Sequence, residues 1–168
     1  MKYILTLLMI IGVTFVQAED KPKNQLIIDA EQFEAYDNKG LSIFTGNVKM
    51  TRIKDRLNSD KLEVYMTPKK EGVKQKRVAL KYIATGNADF EVFTLDKHYI
   101  GSGKKIIYNP AKLEYEIIGK GFLKEVNENK TLYGETIFLN QTTGEARVRG
   151  TKNKPVRFIM EIESKEKK

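Results

Sequence analysis

The stretch Phe44-Thr45-Gly46-Asn47-Val48-Lys49-Met50 returns further along the chain as Ala84-Thr85-Gly86-Asn87-Ala88-Asp89-Phe90. Both copies alternate apolar or small residues with polar ones. A period of two sets one group of side chains on each face of a pleated strand. The same alternation carries on through Val92 and reappears at Val156, Phe158, Met160 and Ile162. Turn signals stand between such runs: Asp37-Asn38-Lys39-Gly40, Asn109-Pro110, Glu128-Asn129 and Thr142-Thr143-Gly144. Helical periodicity is missing after the N-terminal apolar run, so the reading is all-β.

The recurring glycine belongs to a larger internal repeat. A small residue is followed at +3 and +5 by two apolar residues, and a glycine comes later. The copies are Ala30, Phe33, Ala35 and Gly46; Ser59, Leu62, Val64 and Gly86; Gly103, Ile106, Tyr108 and Gly119; and Gly134, Ile137, Leu139 and Gly150. Only the second copy has a longer gap before its glycine, and the basic segment Pro68 to Arg77 fills it. Phe44, Ala84, Ile117 and Val148 each stand two residues before a glycine. Two and four residues after it come Val48/Met50, Ala88/Phe90 and Gly121/Leu123, whereas the fourth copy has Lys152/Lys154. Two strands joined by a turn in each copy predict an elongated stack of hairpins with open edge strands. Glycine within a strand lets the backbone bend or approach a neighbour, as a curled sheet requires.

The N-terminus has a different logic. Lys2 precedes an uncharged run from Ile4 to Val16, and Val16-Gln17-Ala18 offers small residues at the −3 and −1 positions of a signal-peptidase site. As a helix the run rises about 20 Å, short of the roughly 30 Å bilayer core. The expectation is a cleavable leader (1–18), one domain (19–163) and a disordered basic tail (164–168). Cysteine is absent, so disulfides contribute nothing to stability. The formal net charge of +8 favours anionic partners. Lipid phosphates suit an exported chain; nucleic acid does not, given no Trp and no binding motif.

The two Thr-Gly-Asn sites, Asp60-Lys61-Leu62 after the first, and Gly101-Ser102-Gly103 to Tyr108 after the second resemble the OstA-like family of lipopolysaccharide-transport proteins. The resemblance runs from about Leu26 to Ile162. It departs at Ile118-Gly119-Lys120-Gly121, where a full match would place Thr-Gly-Asn. It implies a V-shaped, slightly twisted β-jellyroll whose apolar interior holds lipid acyl chains. It also implies a periplasmic bridge between the inner and outer membranes. Copies of the protein would stack head to tail, with LptC-like inner-membrane and LptD-like outer-membrane relatives at the ends.

Strand parity nominates the groove: Leu26, Ile28, Phe33, Phe44, Val48, Met50, Leu62, Val64, Ala84, Phe90, Val92, Ile106, Tyr108, Ile117, Leu123, Ile137, Leu139 and Val148. Phe90 and Tyr108, both bulky, lead this set. Two basic clusters are candidates for lipid phosphates: Lys69, Lys70, Lys74, Lys76 and Arg77, then Arg147 and Arg149 with Lys152, Lys154 and Arg157. A solvated charged loop is the plainer reading of each. Leu26 and Ile28 at one end, and Val156, Phe158, Met160 and Ile162 at the other, are the expected unpaired edges.

Catalysis finds little support. His98 is the only histidine, which removes His-based triads and multi-histidine metal sites. No cofactor motif occurs, and the acidic residues form no convincing pair. Two alternatives compete with the carrier: an LptC-like relative anchored by Ile4 to Val16, and a ligand-free structural β-repeat protein.

Overall fold

Backbone hydrogen bonding follows chain order almost throughout. The computed structural model describes residues 25–69, 72, 76–94 and 96–162. The leader with its Ala18 cleavage site, Lys70, Lys74 and the basic tail lie outside the described residues. The strands are β1 (Leu26–Asp29), β2 (Gln32–Tyr36), β3 (Leu41–Arg52), β4 (Asp55–Met66), β5 (Ala79–Phe93), β6 (His98–Asn109), β7 (Glu114–Glu125), β8 (Lys130–Asn140), β9 (Ala146–Arg149) and β10 (Arg157–Ile159). All pairings are antiparallel in one open sheet, in the order β1-β3-β4-β5-β6-β7-β8-β10, with β2 also on β3 and β9 also on β8.

Each ladder between long strands shifts register once near its middle, apart from a second shift at Tyr65/Met66 at the end of the β4–β5 ladder. The central shifts fall at Thr45/Val48, Asn58/Lys61, Thr85/Ala88, Ser102/Lys105 and Ile118/Gly121. Aligned across the sheet, these breaks make a crease that divides it into two walls. The glycines at the break have φ of +85° (Gly46), +78° (Gly86) and +83° (Gly119), a region that glycine enters without steric cost. The residues after them, Asn47, Asn87 and Lys120, are also left-handed. Asn suits that conformation better than most side chains. Lys120 adopts it too, so the third copy bends although it lacks the signature asparagine.

The walls face each other. Ladder partners connect Phe33, Phe44, Leu62, Ala84, Ile106, Ile117, Ile137 and Val148 into one inward row on the first wall. On the second wall the row is Ile28, Met50, Leu57, Phe90, Gly101, Leu123, Leu132 and Phe158. Phe90 reaches across to stack on Tyr115, with ring centroids 4.6 Å apart. Close approach at the crease requires small inward residues there, and Ala88, Gly103 and Gly121 supply them. A Cβ added at Gly103 would stand 2.7 Å from Ile117 Cγ2 on the facing wall.

The repeat proves to be the crease-to-crease hairpin of the first wall: β2 with the start of β3, the ends of β4 and β6 with the starts of β5 and β7, and the end of β8 with β9. The hairpins of the second wall join them. Both edges differ from expectation. The N-terminal edge is one strand broken at Ala30-Glu31, so β2 and β1 each cover one wall. The C-terminal edge is broken as well, by an excursion over Gly150–Val156 pinned by the Thr151–Lys154 bridge. The expected last strand from Val156 to Ile162 shrinks to Arg157–Ile159, and Val156, Met160 and Ile162 lie outside it. The reason is register. Phe158 pairs with Leu132, so Met160 reaches the first residue of β8 and Ile162 has no strand left beside it.

Replacing Gly103 by Ala should lower unfolding stability by about 1–3 kcal/mol, the usual cost of overpacking a filled interior. Urea titration of the variant against the parent chain checks this; an unchanged midpoint would mean that the walls have room to spare.

Candidate ligand-binding interior

Most of the nominated groove residues do face inward. Val48, Leu62, Val64, Phe90, Val92, Ile106, Tyr108, Ile117, Leu123, Ile137 and Leu139 are buried, and Ile28, Phe44, Met50 and Val148 are half-buried against them. Phe90 and Tyr108 come from opposite walls. Phe33 and Leu26 share the inward parity but stay exposed, at 60% and 38%. Both lie on the N-terminal edge, where no further strand covers them; Phe33 rests only on Phe44, with centroids 4.9 Å apart.

Several inward residues escaped the sequence reading: Leu57, Tyr82, Tyr99, Tyr115 and Leu132. Parity could have found three of them, since Leu57 stands two before Ser59, Tyr82 two before Ala84 and Tyr115 two before Ile117. Tyr82, Tyr108 and Tyr115 are successive ladder partners. Their rings stack at 5.9 Å and 4.3 Å, and Phe90 continues the column from the facing wall. Burial holds the Tyr115 hydroxyl well above the ordinary phenol pKa, and raises Tyr82 and Tyr108 in the same direction. The column is neutral throughout the physiological range, with polar tips but no charge.

The middle of the stack is filled by these side chains, while its C-terminal end is not. A cavity of about 430 Å³ opens there among Tyr99, Leu123, Leu132, Leu139, Ala146 and Phe158. Lys97, Glu125 and Lys130 rim it, and Lys97 approaches Glu125 at 3.5 Å. A wider groove of about 770 Å³ lies between the tips of the two walls, where Tyr108 is shared with the core.

The described members of the basic clusters occupy the periphery. Arg77 pairs with Asp37 at 2.8 Å, tying the end of the inserted segment to the first turn. Lys69 and Lys76 are exposed. Arg147 pairs with Glu145 at 3.1 Å and lies over the Phe138 ring, on the outer face of its strand. Arg149 and Arg157 are exposed near the C-terminal edge. None of them lines the interior. His98 bonds Glu91 at 2.8 Å and stacks on Phe93. Arg56 also pairs with Glu91, and the two donors hold its carboxyl below the usual range. Among the described residues, no group of acidic and histidine side chains could hold a metal ion.

Comparison with known proteins fits this architecture. The structure superposes on the crystal structure of LptH, described as the LptA homologous periplasmic component of the lipopolysaccharide transport device from Pseudomonas aeruginosa. The TM-score is 0.67 at 17% identity, over 84% of this chain and 100% of that one. At such identity the match establishes the fold, an LptA/LptH-type β-jellyroll. No curated protein matches by sequence. Residues 27–145 match the family described as LptA/(LptD N-terminal domain) LPS transport protein. That span takes in all the strands from β2 to β8 and all three bent glycines. The chain thus belongs to the LptA/LptD N-terminal domain family of lipopolysaccharide transport proteins.

Proposed function

We propose that the protein is a non-enzymatic periplasmic carrier that takes the acyl chains of lipid A between its two walls. It passes lipopolysaccharide from the inner towards the outer membrane, as one segment of a head-to-tail stack. The observation that carries the reading is the pair of inward apolar rows, which run without interruption to uncovered edges. Phe33 and Ile28 end them on one side, Val148 and Phe158 on the other. A self-contained core would close those ends with polar residues. Here a neighbouring chain would prolong the rows, whether a second copy, an LptC-like protein or an LptD-like one. The leader-like N-terminus supports the periplasmic location, as does the periplasmic role stated for LptH.

Energetics favours exchange over storage. Each buried acyl CH₂ is worth about 0.8 kcal/mol, but a bilayer gives the same return, so the net pull in either direction is small. Admission requires the walls to part, because Phe90 and the tyrosine column now fill the middle. Exposed Lys69, Lys76, Arg149 and Arg157 would act on lipid phosphates by steering, which salt screens over about 8 Å.

Two measurements test this reading. Photo-crosslinking groups at Phe90 and Tyr108 should capture lipopolysaccharide, whereas a group at outward Glu91 should not; equal labelling at all three would refute an inward lipid path. In sedimentation velocity over a concentration series, the intact chain should form open-ended oligomers, because pairing two unlike edges does not close. Truncation after Arg149 removes β10 and should leave the chain monomeric. An intact chain that stays monomeric at high concentration would rule the stack out.

A further inference from the structure

Six non-glycine residues among those described have left-handed φ: Asn47, Ile53, Asn87, Leu113, Lys120 and Asn129. Asn47, Asn87 and Lys120 make the crease, and Asn129 serves an ordinary turn. Ile53 and Leu113 also hold turn positions, but with side chains ill suited to that conformation. Ile53, at φ +59°, stands in the two-residue turn between β3 and β4, where Asn or Gly is the usual choice. A β-branched residue is a genuine outlier there. Leu113, at φ +54°, ends the turn between β6 and β7. Neither strained side chain is rewarded by burial, since Ile53 is 72% and Leu113 41% exposed.

The two turns belong to different walls, yet both residues line the same groove between the wall tips. Phe93 adds a third exposed apolar side chain, and Tyr108 forms the inner end where groove meets core. Two cations, Arg52 and Lys54, and two carboxylates, Asp55 and Asp96, line this mouth. Asp55 accepts the Phe93 amide at 3.0 Å and Asp96 the Thr94 hydroxyl at 3.3 Å. Arg52 and Lys54, flanking Ile53, make no ion pair among the described residues. Strained apolar residues on both lips, free cations beside them and an aromatic column behind suit one class of occupant.

We propose that Ile53 and Leu113 are the lips of a side entrance for the acyl chains of an anionic lipid, with Arg52 and Lys54 receiving its phosphates. The inference rests on the carrier reading and adds a route to it. Lipid enters between the wall tips as well as being passed along the stack, and residues poorly suited to their turns are kept there for contact with the cargo.

The test uses the intact mature chain and lipopolysaccharide labelled on its sugar, presented in detergent micelles. Uptake rate and thermal midpoint are read together. Ile53→Asn with Leu113→Asn should raise the midpoint by a few degrees, because strain is relieved, while slowing uptake about tenfold. Ile53→Val should keep the rate. Uptake by Arg52→Gln/Lys54→Gln should depend less steeply on salt than uptake by the parent chain, the remaining dependence coming from the peripheral cations. Unchanged uptake by the asparagine variant, or a lowered midpoint, would overturn the lips; an unchanged salt dependence would overturn the phosphate contact. The parent chain serves as its own control: if it takes up no lipid, the carrier reading fails and the entrance with it.

Discussion

Everything in this fold follows from a left-handed pair of residues at the middle of a strand. A ten-stranded antiparallel sheet left flat would expose one apolar face to water. Gly46-Asn47, Gly86-Asn87 and Gly119-Lys120 bend alternate strands at the same level, and the intervening strands yield at Asn58/Lys61 and Ser102/Lys105. The sheet closes on itself and becomes both halves of its own core. Without the bend, Phe90 and Tyr115 would sit far apart on one surface; with it, their rings stack. The crease also keys the register. A hairpin shifted by two residues would keep its facing pattern but set a bent glycine against extended backbone.

This arrangement makes an interior that is closed in the middle and open at its margins. Ile106, Ile117 and Ile137 are fully buried, while their row partners at the two edges, Phe33 and Val148, are not. The aromatic column fills the centre with stacked rings whose hydroxyls stay protonated.

Much of this was legible in the residues, because period-two alternation and a recurring glycine are both local signals. The inward parity of Leu62, Ile106, Ile117 and Ile137 needed nothing more. The second wall was half visible in Val48, Met50, Phe90 and Leu123, yet it was read as the tail of each copy, since no turn motif marks Ile53-Lys54. The C-terminal edge departs from its sequence pattern for a tertiary reason. Val156 to Ile162 alternates perfectly, but β8 begins at Lys130 and offers residues beyond Met160 no partner. Alternation gives the face a residue prefers; the length of the neighbouring strand decides whether it pairs. Strain at Ile53 and Leu113 could not be read at all, because backbone sign is not written in side-chain type.

Chain order and sheet order coincide from β3 to β8, and this makes the molecule nearly one-dimensional. Each strand's backbone pairs only with its sheet neighbours, and side chains such as Phe90 and Tyr115 reach one strand further, so cooperativity passes along the stack like coupling along a row of spins. Inner layers gain from two neighbours and terminal ones from one, which lowers the free energy of local opening at both ends. Any strand added to an end turns that layer into an inner one. Stability of the edges then depends on whether a further strand covers them.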